Sequence, residues 1–157
     1  MDATYLLSLI ADAIRRSGLE AILIGNAAAA LGGAPVTTLD FDFLIRRGER
    51  TPEAIATMAS VLGARIIRPR RYSTTVKLYA ADLGLDVDLL ARMDGIASFD
   101  ALAKKARTTR DFGAPLRVAA LADVLRSKIA AGRPKDLAVI PTLEKTLHES
   151  KKKTRRR

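Results

Sequence analysis

The sequence contains no cysteine, so disulfide bonds, zinc–thiolate centres and thiol nucleophiles are excluded. Aromatic residues make up only 4% of the chain and tryptophan is absent, which argues against binding of single-stranded nucleic acid by stacking bases on a row of rings. No apolar run approaches the roughly 20 residues of a membrane span, and residues 1–5 lack the basic segment that begins a signal peptide. We therefore expect a cytoplasmic protein with no membrane partner.

The charge of the chain is unevenly distributed. The 157 residues carry a formal net charge of +10, but residues 151–157 (Lys-Lys-Lys-Thr-Arg-Arg-Arg) hold six of the 27 basic residues. Without that segment, 21 basic residues face 17 acidic ones, so the rest of the chain is only mildly basic. The length is typical of one domain, and a segment without apolar residues has nothing to bury. We predict a single domain over residues 1–150, followed by a disordered basic tail over 151–157.

Hydrophobic periodicity predicts a chain in which helices and strands alternate. Apolar residues recur at helical spacing between residues 6 and 14, whereas residues 39–45 alternate with the period of two that is typical of a strand. The predicted order α-β-α-β-α-β-β-β-α-β-α-α indicates the α/β (or α+β) class, with a mixed sheet flanked by helices. The predicted strands cover residues 19–24, 39–45, 64–67, 73–80, 85–91 and 116–119, and the two C-terminal helices cover 121–131 and 134–148.

The predicted strand at residues 39–45 carries two carboxylates. Asp40 and Asp42 lie two residues apart, so both project from one face, with their α-carbons about 6.6 Å apart. Carboxylates this close repel each other. A divalent cation such as Mg²⁺ relieves the repulsion, because it binds one or two carboxylates together with waters and phosphate oxygens. The alternative is that the polar face of this strand simply contacts water.

Two further patterns add to this pair. Ile24-Gly25-Asn26 joins the end of a strand to the start of a helix, and such a turn directs backbone N–H groups and the positive helix end at an anion. The strand at 85–91 repeats the acidic pattern, with Asp86 and Asp88 on one face. If the two acidic strands were neighbours, a third carboxylate would join the first two, which suits a two-metal site for phosphoryl chemistry.

These residues resemble a known sequence signature. Ile24-Gly25-Asn26, a spacer of thirteen residues and then Asp40-Phe41-Asp42-Phe43 resemble the nucleotidyltransferase-fold signature of the DNA polymerase β superfamily. The segment 128–136, Lys-Ile-Ala-Ala-Gly-Arg-Pro-Lys-Asp, is similar to the C-terminal signature of small bacterial and archaeal members, including the AbiEii-type proteins of toxin–antitoxin systems. Together the two similarities span residues 20–147 of the chain.

The resemblance implies a minimal nucleotidyltransferase fold and transfer of a nucleoside monophosphate from an NTP, bound with Mg²⁺ or Mn²⁺, to a hydroxyl group of a protein side chain or an RNA. It implies that Asp40, Asp42 and Asp88 are catalytic and hold the metal, with Asp88 preferred to Asp86 because Asp88-Leu89-Leu90 matches the usual end of that strand. It also implies a cognate toxin or antitoxin as a partner. The residues implied to bind the nucleotide are Gly25, Asn26, Thr38, Lys128 and Arg133, with Asp86, Lys135 and Asp136 in supporting roles.

Two other functions remain open. Asn26 stands where Gly or Ser is usual, and Val36 stands where many relatives carry Arg, so the chain could be a nucleotidyltransferase-fold module that regulates a partner without turnover. The other function is a basic nucleic-acid-binding domain. It is supported by the tail and by basic residues around the third strand, some of which lie in an exposed loop predicted at 68–72. These residues could seat a polynucleotide or form a solvated charged face: Arg65, Arg68, Arg70, Arg71 and Lys77.

Overall fold

A computed structural model describes residues 2–68 and 74–157. The strands are β1 (Ala21–Ile24), β2 (Asp40–Ile45), β3 (Arg65–Ile67), β4 (Val76–Ala80), β5 (Leu85–Leu90), β6 (Arg107–Thr109) and β7 (Leu116–Val118). The helices are α1 (Ala3–Ser17), α2 (Gly25–Leu31), α3 (Thr51–Leu62), α4 (Phe99–Lys105), α5 (Leu121–Ala131) and α6 (Pro134–Arg155). Most of the loop predicted at 68–72, and the first residue of the strand predicted at 73–80, lie outside the described residues.

The strands form one mixed sheet in the order β3-β4-β5-β2-β1-β7-β6. Its centre combines both pairing modes, because β2 is antiparallel to β1 and parallel to β5. The predicted α/β class, with a mixed sheet, flanking helices and two C-terminal helices, is therefore confirmed.

The alternation predicted for the acidic strands is present in the structure. Phe41 and Phe43 of β2 are buried, whereas Asp40 is exposed and Asp42 is partly buried between them. Strand β5 repeats this arrangement, since its odd-numbered apolar residues are buried and its two aspartates are partly exposed. Successive side chains of a strand point to opposite faces, so one face of the sheet centre joins the apolar core and the other presents carboxylates.

The C-terminal helix pair closes the fold near the sheet centre. Helix α5 ends at Gly132, whose positive φ of 62° allows the chain to turn at once into α6. The two helices pack against each other, and α5 also contacts α2, which begins where β1 ends. The connection between α5 and α6 thus lies close to the Gly25 turn.

Within the described ranges, no helix has both the length and the apolar character needed to cross a membrane.

Two features of the structure differ from the sequence-based prediction. Strand β6 was not predicted, because its three residues at the edge of the sheet include two that are exposed and show no apolar alternation. Helix α6 continues to Arg155, so residues 151–155 are helical where a disordered tail was expected. The physical reason is that Lys and Arg favour helices, and that basic side chains in a last turn are stabilised by the helix dipole.

Candidate active site

Four carboxylates lie in two adjacent rows across strands β2 and β5. The parallel register places Asp40 beside Asp86 and Asp42 beside Asp88. The two acidic strands, whose pairing the sequence left as a condition, are therefore neighbours. Residues paired across a ladder share a face of the sheet, so all four side chains belong to one surface, which we call the acidic face.

The surroundings of Asp42 disfavour its ionised form. Burial raises its pKa, and the negative charges of Asp88 and Asp40 raise it further, while Lys135 and Lys128 act in the opposite direction. A partly buried carboxylate with two acidic neighbours is stabilised in its ionised form by an added cation. The charge distribution therefore favours a bound cation beside Asp42.

The turn between β1 and α2 brings the main chain against Asp42. Gly25 has a φ of 66°, and a Cβ atom at this position would lie 3.0 Å from Asp42 Oδ2. A glycine is needed for both reasons, since a side chain would be strained by the backbone and crowded by the carboxylate. The next residue, Asn26, has a buried Oδ1 atom for which no hydrogen-bond partner exists in the described part of the chain. The turn thus places an unsatisfied polar group near the acidic face.

The junction of α5 and α6 supplies the basic residues of the site. The Asp136 side chain is 2% exposed and lies at the start of α6. Arg133 Nε donates to Asp136 Oδ2 at 2.7 Å, and Lys128 Nζ lies 3.5 Å from Asp136 Oδ1. Burial opposes ionisation of Asp136, but the hydrogen bond and charge of Arg133 and the charge of Lys128 outweigh it and lower its pKa. Asp136 therefore orients both cations.

A cavity of about 270 Å³ lies between the acidic face, the Gly25 turn and the α5–α6 junction. Thr38 reaches it from the segment before β2, where its hydroxyl oxygen accepts a hydrogen bond of 3.0 Å from the Asp40 N–H. Nine of the eleven residues proposed from the sequence line this cavity: Gly25, Asn26, Thr38, Asp40, Asp42, Lys128, Arg133, Lys135 and Asp136.

The two remaining residues, Asp86 and Asp88, do not line the cavity. Both contact Lys77 on β4, whose Nζ atom lies 3.1 Å from Asp86 Oδ1 and 3.2 Å from Asp88 Oδ1. Burial opposes the charge of Lys77, but its contacts with the two aspartates outweigh this effect and raise its pKa. Lys77 lies beside the third strand, where it pairs with Ile67, and its side chain is also part of the acidic face.

Sequence reasoning missed several residues that line the cavity. Arg92, Met93 and Asp94 follow β5 and reach it from the sheet, and Ser127 reaches it from α5. The hydrogen bond and charge of Asp136 raise the pKa of Arg133 despite burial, and the charge of Asp94 adds to this effect. Two signals were available: the Arg-Met-Asp segment comes just after an acidic strand, and Ser127 precedes the basic residue already singled out.

A divalent cation needs several oxygen or nitrogen ligands, which in this site would come from acidic side chains. Within residues 2–68 and 74–157, no group of three or more His, Asp or Glu side chains is placed to hold one metal ion. Two carboxylates still suffice for Mg²⁺, which completes its shell with waters and substrate phosphates. Asp40 and Asp42, which both line the cavity, provide two such carboxylates.

The chain has the nucleotidyltransferase fold. It is similar to the crystal structure of a putative nucleotidyltransferase from Thermotoga maritima, with a TM-score of 0.60 and 20% identity over 92% of this chain and 91% of that one. It is also similar to the solution structure of the antibiotic-resistance factor ANT(2'')-Ia, with a TM-score of 0.61 and 16% identity over 92% and 83% of the two chains. No protein-family model and no curated protein matches the sequence. The similarity to AbiEii-type proteins stays a prediction.

Proposed function

We propose that the protein is a nucleotidyltransferase that moves a nucleoside monophosphate from an NTP to an acceptor hydroxyl group. The observation that carries the proposal is the composition of the 270 Å³ cavity, in which Asp40 and Asp42 lie on one wall and Lys128, Arg133 and Lys135 on the other. A metal–triphosphate complex has matching charges, since its cation needs carboxylates and its phosphates need cationic and N–H donors. The likeness to solved nucleotidyltransferases supports the same conclusion.

Each part of the cavity has a role in this proposal. Asp40 and Asp42 hold the divalent ion, which when bound withdraws negative charge from the phosphate oxygens. The backbone of the Gly25 turn contacts triphosphate oxygens, and the absence of a Cβ atom lets those oxygens approach closely. Arg133 is suited to contact two phosphate oxygens at once, whereas Lys128 and Lys135 act as point charges.

The reaction is a displacement at the α-phosphorus atom. The acceptor hydroxyl oxygen forms a bond to this atom, and the bond from the α-phosphorus to the oxygen that bridges to the β-phosphate breaks. Pyrophosphate leaves with the electron pair of the broken bond. The hydroxyl proton passes to a carboxylate of the acidic face.

The test is transfer of label from α-³²P NTPs. Each NTP is incubated with the protein and Mg²⁺ or Mn²⁺, without acceptor, with RNA and with cell extract. We expect labelled acceptor and released pyrophosphate with wild type, and neither product with the double variant Asp40→Asn, Asp42→Asn. The matched control is Asp111→Asn, an exposed carboxylate outside the cavity, which should keep full activity. Activity that persists in the double variant would remove the proposed metal site.

A second candidate is a module that binds an NTP and regulates a partner, such as a cognate toxin or antitoxin, without turnover. Its support is specific: Asn26 replaces the usual small residue, Val36 packs against the core without contributing a charge, and Asp88 contacts Lys77 rather than the cavity. The label experiment separates the candidates when NTP binding is measured alongside it. Binding that depends on Asp40 and Asp42, with no transfer to any acceptor, would favour the module.

A further inference from the structure

Lys77 places a fixed positive charge in the acidic face. Its ammonium nitrogen lies 3.1 Å from Asp86 Oδ1 and 3.2 Å from Asp88 Oδ1, so one cation bridges both carboxylates of β5. The register explains the contact, because Lys77 pairs with Asp88 across the β4–β5 ladder and opposite residues share a face. The Lys77 side chain is 34% exposed and that of Asp88 is 31% exposed, so water screens the pair only in part.

Lys77 belongs to a row of three charged side chains across the sheet. Across the sheet, the register aligns Asp42 on β2, Asp88 on β5 and Lys77 on β4. Asp88 therefore has a negative neighbour on one side and a positive neighbour on the other. The ammonium group offsets the repulsion between Asp88 and Asp42, which a second divalent ion would otherwise have to do.

We propose that Lys77 is a positioning residue that acts as a built-in cation: it holds Asp86 and Asp88 and restricts the acidic face to one divalent ion, bound by Asp40 and Asp42. The ammonium group occupies one oxygen of each carboxylate, because Asp86 Oδ1 accepts a hydrogen bond from it and Asp88 Oδ1 forms an ion pair with it. A metal ion would have to displace Lys77 to bind either of these oxygens. The part of the chain that the structure describes agrees, because it contains no group of three acidic or His side chains placed for one ion. The inference rests on the divalent-ion part of the proposed function and not on nucleotidyl transfer.

If the contacts of Lys77 with Asp86 and Asp88 only stabilised the fold, the expected effect of removing Lys77 would be different. Removing such a pair would lower the stability of the protein but would leave its affinity for divalent ions unchanged. Removing a built-in cation releases two carboxylates beside an existing ion site, and the loss of a positive charge strengthens the attraction for divalent ions. The number and affinity of bound Mn²⁺ ions therefore distinguish the two roles.

The experiment is Mn²⁺ titration of the full-length protein without nucleotide, followed by the electron paramagnetic resonance signal of free Mn²⁺. Wild type should bind one ion. Lys77→Met should bind a second ion, or the first about tenfold more tightly, because a unit positive charge two strands away from the site opposes cation binding even when partly screened. Lys77→Arg keeps the charge and should behave as wild type. Lys105→Met, which removes an exposed lysine from α4, is the control for charge alone.

Two further outcomes decide the inference. In the background of Asp86→Asn and Asp88→Asn, the Lys77→Met change should no longer add a second ion, because the carboxylates that it releases are gone. The inference is overturned if folded Lys77→Met, checked by circular dichroism, binds the same number of ions as wild type with an affinity within twofold. Absence of Mn²⁺ binding in both proteins would overturn it as well. Failure of nucleotide transfer with these Mn²⁺ results intact would count against the proposed function alone.

Discussion

The aspartate pairs of β2 and β5 share one local pattern and have different surroundings. Each pair is Asp-x-Asp on a strand with buried apolar neighbours, and the two strands lie side by side in parallel register. The pair on β2 borders the cavity beside Gly25, whereas the pair on β5 contacts Lys77. The surroundings of a carboxylate therefore depend on what lies on the neighbouring strand and not on its own sequence pattern alone.

The largest expected effect on activity comes from replacing Asp42 or Asp88, which pair across β2 and β5, by asparagine in separate variants. Asp42→Asn should lower the transfer rate by about a thousandfold or more, because a bound ion contributes several kcal/mol to phosphoryl chemistry. Asp88→Asn should cost about 10- to 100-fold, the typical effect of a group that supports a metal ligand, and Asp86→Asn should cost less. Initial rates of label transfer provide the measurement. Equal losses for Asp42→Asn and Asp88→Asn would show that both pairs act as direct ligands.

Asp136 extends the comparison to a carboxylate whose partners are cationic. Its pKa in the folded protein lies below the unfolded value, so it contributes stability that is present above the unfolded pKa and is lost as pH falls through the folded pKa. Asp136→Asn should therefore lower the free energy of unfolding at pH 7 by about 1–3 kcal/mol, with a much smaller difference in strong acid. Urea denaturation at several pH values tests this, and a pH-independent difference would contradict it.

Substitution of Gly25 tests whether its close approach to Asp42 is required for ion binding by the β2 aspartates. Gly25→Ala and Gly63→Ala both place an alanine at positive φ, at 66° and 62°, but only the alanine at position 25 would meet Asp42 Oδ2. Both variants should lose about 1–2 kcal/mol of stability from the backbone strain. Gly25→Ala should in addition weaken Mn²⁺ binding, which Gly63→Ala should leave unchanged. Identical Mn²⁺ affinities in the two variants would mean that the close approach of Gly25 has no bearing on the ion site.

The smallest expected effect concerns stability without metal. The pKa of Asp42 is raised in the folded protein, so its ionisation costs stability as pH rises above the unfolded value, and Asp42→Asn should make the protein slightly more stable at pH 7. Asp88→Asn removes one contact of Lys77 and should lower stability by less than about 1 kcal/mol, because the pair is partly exposed. Melting temperatures in EDTA should therefore move in opposite directions, and shifts of the same sign would contradict the comparison.

Most of the helices and strands, and most residues that line the cavity, could be predicted from the sequence. Period-two alternation identified the acidic strands, and glycines correctly marked the end of α1, α3 and α5. These signals are local, because the burial of alternate residues and the positive φ of a glycine depend on a few neighbouring positions. Strand β6 escaped detection because an exposed edge strand of three residues needs no apolar pattern and exists only through its pairing with β7.

The contacts between charged side chains follow from the packing of distant segments and could not be predicted from the sequence. Lys77 looked like one of several basic residues around the third strand, yet pairing between β4 and β5 places it on Asp86 and Asp88. Arg92 and Asp94 carry no motif, and they reach the cavity because the chain turns there after β5. Charges interact through space over a few ångströms, whereas sequence patterns report neighbours along the chain. The strands of the acidic face are 30 or more residues apart from the basic helices, so their contacts follow from the packing of the sheet against α5 and α6.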